Sequence, residues 1–474
     1  MNLTLAFQFE VDPDSEQSGR VLLWDGEVQI QDDELSEIRH DGPRLAFRIP
    51  AKGTTFTGEL VADGERIAGR FGFPDGSQHE VDVARVAGLR YARTMPSSVE
   101  DGQSLVLEIS RAEAKEDVQF LMSVIAREHP APYRFVAADS LKAAADRIAK
   151  SLPATVSTEL FLQALRPLMA SVRCVHTSIR APESLEAKTS AESGHLPFGI
   201  RIFGGRTLVT ETRGHDKVDL ASRVVSINGT AIDEVVRIMI ASISADGYSD
   251  AFPMHVINRG FARAYAAAFG RTDSFTLELV RTDGTIYVAN VDGTPLSSDS
   301  ETEPLRLSLS FRQGTRIAYL RVPTFGPPDL AGAMSALDGF FGDIVERGSA
   351  ALIVDLRGNT GGHPRLASQL LSHLVAEPFR YFVGDSTGSG DLAILYREQT
   401  PASNTFTRQV VVLMDGAGVS TTGHFLALAR VLRVATLIGE SGSSFWSNDN
   451  SHRAVLPASN LEVNVPTHIF STVS

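Results

Sequence analysis

Cysteine is almost missing: Cys174 is the only one in 474 residues. No intrachain disulfide can form, and zinc sites built from several cysteines are excluded. Lysine runs out early. Lys217 is the last, so the whole second half carries no amine that could act as a base. Arginine does not replace it, because a guanidinium keeps its proton at usable pH. No window approaches the ~18 apolar residues that would span a bilayer, so no transmembrane segment is expected. Basic charge is in deficit, with 44 Lys and Arg against 57 Asp and Glu, a formal net charge of -13. That argues against nucleic acid and anionic membranes as partners, since both need a basic surface. The opening "MNLTLAFQFEVDPDSEQ" has no basic stretch followed by a long apolar one, so no signal peptide is visible. The expectation is a soluble chain, cytoplasmic as written and periplasmic or secreted if a leader has been removed.

A chain of this length is too long for one core, and three or four units are expected at ~100–200 residues each. Up to about residue 110 the pattern is short and alternating, broken by Asp63-Gly64 and Asp75-Gly76, both hairpin signals. From there to about residue 190 the period is helical, with Ser157 a plausible N-cap before "TELFLQALRPLMASV". Residues 191–300 return to strands with one helix, near "DEVVRIMIASIS", and "SETEP" reads as a linker. From 301 to 474 apolar strands alternate with amphipathic helices, the pattern of an α/β layer with parallel pairing. The fold class is multidomain α+β: a small β domain at 1–110, a helical cap at 111–190, a β module at 191–300 and an α/β core at 301–474.

Reacting groups of α/β layers sit where strands lead into helices. Two such turns here are rich in glycine, "IVDLRGNTGGHPRL" and "VVVLMDGAGVSTTGHF". The first lacks the Lys-Ser/Thr ending of a P-loop, so a nucleotide is not expected. Its glycines either supply positive φ for a tight turn or expose the Gly362 N–H as an oxyanion donor. In the second, Ser420 stands at the start of a helix. A serine there is commonly an N-cap and, less often, a nucleophile. The stretch Gly418-Val419-Ser420-Thr421-Thr422-Gly423 misses the hydrolase elbow G-x-S-x-G by one residue.

The order "IAYLRVPTF", "ALIVDLRGNTGG", "VVVLMDGAGVSTTGHF", "ATLIGE" resembles the C-terminal processing (tail-specific) protease family of serine peptidases. "SRVVSINGTAI" resembles the family's PDZ-type module, and "EHPAPY" with "VRCVHTSI" resembles its helical cap. The likeness covers roughly residues 113–474 and leaves the first β domain outside. It implies that 191–300 is a PDZ-like module and 301–474 a protease core acting on a peptide or protein substrate, with no cofactor and no metal. The family nucleophile falls on Ser420, and the oxyanion donors on the N–H groups of Gly362 and Thr421.

The lysine that the tail-specific branch uses about 25 residues after the serine is replaced here by Phe445. The likeness is therefore closer to the branch of the tricorn core protease and the interphotoreceptor retinoid-binding protein. In the tricorn branch a histidine comes in from the cap, and His176 occupies that place, preceded by Val175 where tricorn has serine. A neutral imidazole suits general-base work near neutral pH. His424, four residues after Ser420 on the same helix face, is a second candidate. His363 and His452 could line the site, while His129 reads as structural. Asp355 reads as a buried polar partner holding its turn. Glu440, in the family's "GE", is a possible site residue, and Asn450 could orient a histidine. Relatives run on past "VPTHIFSTVS", so a partner residue supplied there would be missing from this chain. Oligomeric state is not legible. The alternative to a peptidase is an inactive protein of the same fold that binds a peptide or a lipophilic ligand.

Overall fold

The computed structural model describes residues 3–10, 18–25, 28–41, 44–49, 54–60, 66–72, 78–84, 106–296, 306–384, 390–440, 446–449 and 451–472. Contacts divide the chain into two compact units, residues 1–101 with 385–394, and residues 102–384 with 395–474. The Asp63-Gly64 and Asp75-Gly76 turns, the "SETEP" linker, Phe445 and Asn450 lie outside the described residues.

The first unit is a seven-stranded antiparallel meander in sequence order: β1 (Leu3–Glu10), β2 (Ser18–Asp25), β3 (Val28–Asp41), β4 (Arg44–Ile49), β5 (Thr54–Leu60), β6 (Arg66–Gly72) and β7 (Gln78–Ala84). Leu60 pairs with Ile67 and Gly72 with Gln78, so each strand follows its neighbour by a short connection. On β5, buried Phe56 lies between exposed Thr55 and Thr57, the period of two that gives a sheet an apolar face.

The second unit begins with helices. Strand β8 (Glu108–Ser110) leads into α1 (Arg111–Glu128), whose start is a full capping box: Ser110 Oγ accepts the Glu113 N–H and Glu113 Oε2 accepts the Ser110 N–H. α2 (Ala138–Ser151), β9 (Thr155–Ser157), α3 (Thr158–Ser171), β10 (Ser178–Arg180) and α4 (Glu183–Ala191) follow. Ser157 caps α3 by accepting the Leu160 N–H, as its position suggested. The buried faces of α1 and α3, among them Leu121, Ile125, Phe161 and Leu165, enclose Leu456, Leu461, Val463 and Val465 from the other end of the chain. Those late residues flank or belong to the hairpin of β25 (His452–Val455) and β26 (Glu462–Val465), and β26 pairs antiparallel with β10. The hairpin tip is tied down by Asp117 of α1, whose carboxylate accepts the N–H groups of Ala458 and Ser459 at 2.9 Å each.

The middle region is a sheet ordered β11 (Gly199–Phe203), β12 (Arg206–Glu211), β13 (Arg223–Ile227), β15 (Ser274–Val280) and β16 (Ile286–Asp292), with β14 (Thr230–Ala231) paired to β13. Three helices accompany it rather than the single one expected: α5 (Ile232–Ala241), α6 (Ala251–Arg259) and α7 (Phe261–Phe269). The last two escaped the sequence pattern because Gly260 ends one and begins the next, leaving nine residues each, too short for a helical period to stand out. They belong to the region's own core through Ile257, Phe261 and Tyr265.

The final layer is a sheet in the order β17 (Ser308–Phe311), β18 (Ile317–Arg321), β19 (Ala351–Asp355), β22 (Gln409–Met414) and β23 (Thr436–Gly439). β17 is antiparallel to β18, and all later pairs are parallel. Helices α8 (Leu330–Glu346), α9 (Pro364–Ser372) and α10 (Ser420–Val431) make the crossovers. Leu352, Val354 and Val412, which share one face of the sheet, are fully buried, while Ile353 and Val411 on the other face are half-buried. The short strands β20 (Phe379–Arg380) and β21 (Glu398–Gln399) pair with each other, as do β24 (Trp446–Asp449) and β27 (His468–Ser471). The carboxyl ends of β19 and β22 are neighbours, and each runs into one of the two glycine-rich turns.

Candidate active site

Ser420 does not cap its helix. Val419 holds the N-cap position, no side chain caps α10, and Ser420 is the first helical residue. Its φ is +53°, in the left-handed region that residues with a Cβ rarely occupy. Such a conformation costs about 1–3 kcal/mol and survives only where the surroundings impose it. Ser420 is 8 % exposed, and its Oγ has no hydrogen-bond partner among the described residues. The hydroxyl is thus held in a strained place and not used for local backbone bonding.

The first turn imposes that place. Gly361 (φ +116°) lies so close that a Cβ there would meet Ser420 Cβ at 2.9 Å and Oγ at 3.2 Å. Gly362 (φ +133°) passes as tightly over residues 325–326, where a Cβ would fall 2.0 Å from the Gly326 nitrogen. Both glycines are therefore required for close approach as well as for φ.

Three polar side chains lock the two turns together. Buried Asn359 donates to the Val322 carbonyl at 3.0 Å, and its Oδ1 accepts the Gly361 N–H at 2.9 Å and the Thr422 hydroxyl at 2.8 Å. Thr421 Oγ1 donates to the Gly362 carbonyl at 2.6 Å. Asp415 accepts the Gly358 N–H on both oxygens, at 3.0 and 3.1 Å, and the Ala417 N–H at 3.1 Å. With the Gly362 carbonyl engaged by Thr421, its N–H has no acceptor among the described residues. The Thr421 N–H belongs to a first helical turn, which has no intrahelical acceptor, and the positive end of the helix favours negative charge there.

Asp355, at the end of β19, holds its turn as its sequence position suggested. Burial alone would raise its pKa, but the Arg357 guanidinium and the Tyr319 hydroxyl outweigh this and bring it to about 2. Arg357 bonds it at 2.9 and 2.8 Å and Tyr319 at 2.5 Å.

Of the histidines, His424 lies one turn after Ser420 on α10, almost wholly buried against Tyr381 and Phe382. Burial, helped by the nearby His176 imidazole, lowers its pKa to about 3. A group so reluctant to take a proton is a poor general base. His176 is half-buried in the loop before β10, and its carbonyl accepts the Asn464 Nδ2–H at 2.7 Å. His363 is the N-cap of α9, with Nδ1 accepting the Arg365 N–H. His452 pairs with Glu128 of α1 at 2.5 Å. Buried His129 accepts the Ala131 N–H at the end of α1, and burial lowers its pKa to about 4. Glu440 is exposed after β23, and the histidine its charge acts on is His255.

His255 was not singled out in the sequence, and neither were Asn359 and Asp415. His255 Nδ1 stands 3.5 Å from Asp415 Oδ2. The Asn in "RGNTGG" and the Asp closing "VVVLMD" are visible as turn residues, but nothing local marks His255. Among the described residues no group of three or more His, Cys, Asp or Glu could hold a metal ion. No helix among them is long and apolar enough to cross a membrane.

The two turns therefore bring together a hydroxyl at a helix start and backbone N–H groups at Gly362 and Thr421 that have no acceptor of their own among the described residues. Among solved structures the chain is similar to mature CPAF, at 12 % identity over 75 % of this chain and 88 % of that one, with a TM-score of 0.56. It is equally similar to mature CPAF complexed with lactacystin, at 12 % identity over 75 % and 90 %, with a TM-score of 0.55. At such identity the likeness is one of fold. No curated protein matches the chain. Residues 316–472, which run from β18 to the end of β27 and include both glycine-rich turns and Ser420, match the family model for peptidase family S41.

Proposed function

We propose that the protein is a serine peptidase of the C-terminal processing type, with Ser420 as nucleophile and His176 as general base. In this reading it is closer to the tricorn and retinoid-binding branch than to the Ser-Lys branch. The observation that carries it is the strained, uncapped Ser420 at φ +53°, pressed against Gly361. Strain of this kind is retained at sites where geometry serves chemistry.

Peptide enters between the helical cap, a PDZ-like middle module and the α/β core. The module adds the substrate end as a strand, through main-chain hydrogen bonds. Ser420 Oγ attacks the scissile carbonyl carbon and His176 takes the hydroxyl proton. The carbonyl electron pair moves to an oxyanion held by the N–H groups of Gly362 and Thr421. Collapse breaks the C–N bond, and the leaving amine takes the proton from His176. Water, deprotonated by the same imidazole, then attacks the ester and frees Ser420. The missing lysine is no obstacle, because the base comes from the cap.

A second reading, a silent binder of peptide or lipophilic ligand, has one observation in its favour. Ser420 Oγ forms no hydrogen bond to an imidazole among the described residues. The two readings part on a serine-directed phosphonate and a fluorogenic peptide. The peptidase labels at Ser420 and turns the peptide over, and Ser420→Ala abolishes both. A binder does neither, yet retains the peptide.

A further inference from the structure

One stretch of the middle region touches both halves of the site. At its start it grips the loop that carries His176. Ser244 Oγ donates to the Thr177 carbonyl at 2.6 Å, and Asp246, buried, accepts the Val175 N–H at 2.9 Å. The residues on either side of His176 are thus bonded to this stretch. Five to nine residues after Asp246, the same stretch bears on the turn before Ser420. The Ala251 carbonyl sits where a Cβ on Gly416 would be, 2.2 Å from that position, and His255 Cβ is next nearest at 3.2 Å. His255 Nδ1 reaches 3.5 Å from Asp415, the carboxylate that binds both glycine-rich turns. Ala251 and His255 are four apart on α6, so they share one helix face.

We infer that residues 244–255 are the positioning element that sets how closely the His176 imidazole approaches Ser420. The loop that carries His176 is hydrogen-bonded to Ser244 and Asp246, and the turn before Ser420 packs on the first residues of α6, so Asp246 and His255 are positioning residues at the two ends of one stretch. The inference deepens the peptidase reading and rests on it for its catalytic meaning. Its mechanical content stands apart: loosening either end must be felt at the other.

Hydrogen exchange and Ser420 labelling on the full chain test the two parts separately. Asp246→Ala and His255→Ala should each speed amide exchange in both 173–177 and 416–421. Each should slow phosphonate labelling at least tenfold and lower kcat with KM within about twofold. The double variant should be little worse than the stronger single one, whereas independent sites would add. Asp246→Asn, which keeps the acceptor, should restore most of the rate. If each variant loosens only its own loop, the inference is overturned, whatever the activity. If exchange couples as expected but the unaltered chain neither labels nor hydrolyses, the positioning element stands and the peptidase reading falls. Val345→Ser, on the exposed side of α8, is the control and should change neither readout.

Discussion

At the scale of single residues, the account turns on close approach and on burial. Gly361→Ala adds a Cβ within 2.9 Å of Ser420 Cβ at a φ of +116°. It should lower the rate of Ser420 labelling by at least tenfold and destabilise the fold by about 1–3 kcal/mol, read from denaturant midpoints. Asn359→Ala leaves the Gly361 N–H and the Thr422 hydroxyl without their acceptor in a fully buried place. It should cost about 2–4 kcal/mol in the same measurement. The buried imidazoles set an acid limb of stability. His424 and His129 have folded pKa values lowered to about 3 and about 4, against ~6.5 when unfolded. Between those values the unfolded chain binds protons that the folded chain refuses. Their contribution is intact above ~6.5 and is lost as pH falls toward 4, by up to about 1.4 kcal/mol per pH unit for each group. Urea titrations from pH 7 to 4.5 should show this slope, and His424→Leu should lower it to the part that His129 contributes. Asp355 adds nothing to that window, since its depressed value of about 2 places its loss below the unfolded carboxylate range of ~3.9.

At the scale of elements, legibility follows the range of the signal. Both glycine-rich turns and Ser420 could be read because a strand, a turn and a helix start are written in adjacent residues. The role of Ser420 at its helix could not. A serine in that position is ordinarily a cap, and only φ at Ser420 and the Val419 N-cap separate the two cases. What Asn359, Asp415 and Asp246 hold could not be read, because their partners lie 63, 57 and 71 positions away. α6 was missed as a helix, and with it His255 went unread. Its contact predicts that Gly416→Ala will be far more disruptive than an ordinary loop substitution. The new methyl would occupy the Ala251 carbonyl, so α6 or the Ser420 turn must move. Exchange should rise along both α6 and 416–421 in that variant.

For the molecule as a whole, alternation of apolar strands with helices announced the parallel layer, and the period of two announced the first sheet. The return of the chain's end to helices α1 and α3 was not legible, because four apolar residues of a late hairpin look alike whichever core receives them. Asp117 is the visible tie. Asp117→Ala should release the hairpin tip, speed exchange across 452–465 and destabilise the fold by about 2–4 kcal/mol. Because Asn464 in that hairpin holds the His176 carbonyl, labelling at Ser420 should slow as well.

The central claim is that a cap imidazole deprotonates Ser420, and the rate of Ser420 modification by a serine-directed phosphonate in the His176→Ala protein measures it. The account predicts stoichiometric labelling of the unaltered chain, none in Ser420→Ala, and a fall of at least about a hundredfold in His176→Ala with the fold retained. Labelling of His176→Ala at the unaltered rate would contradict it.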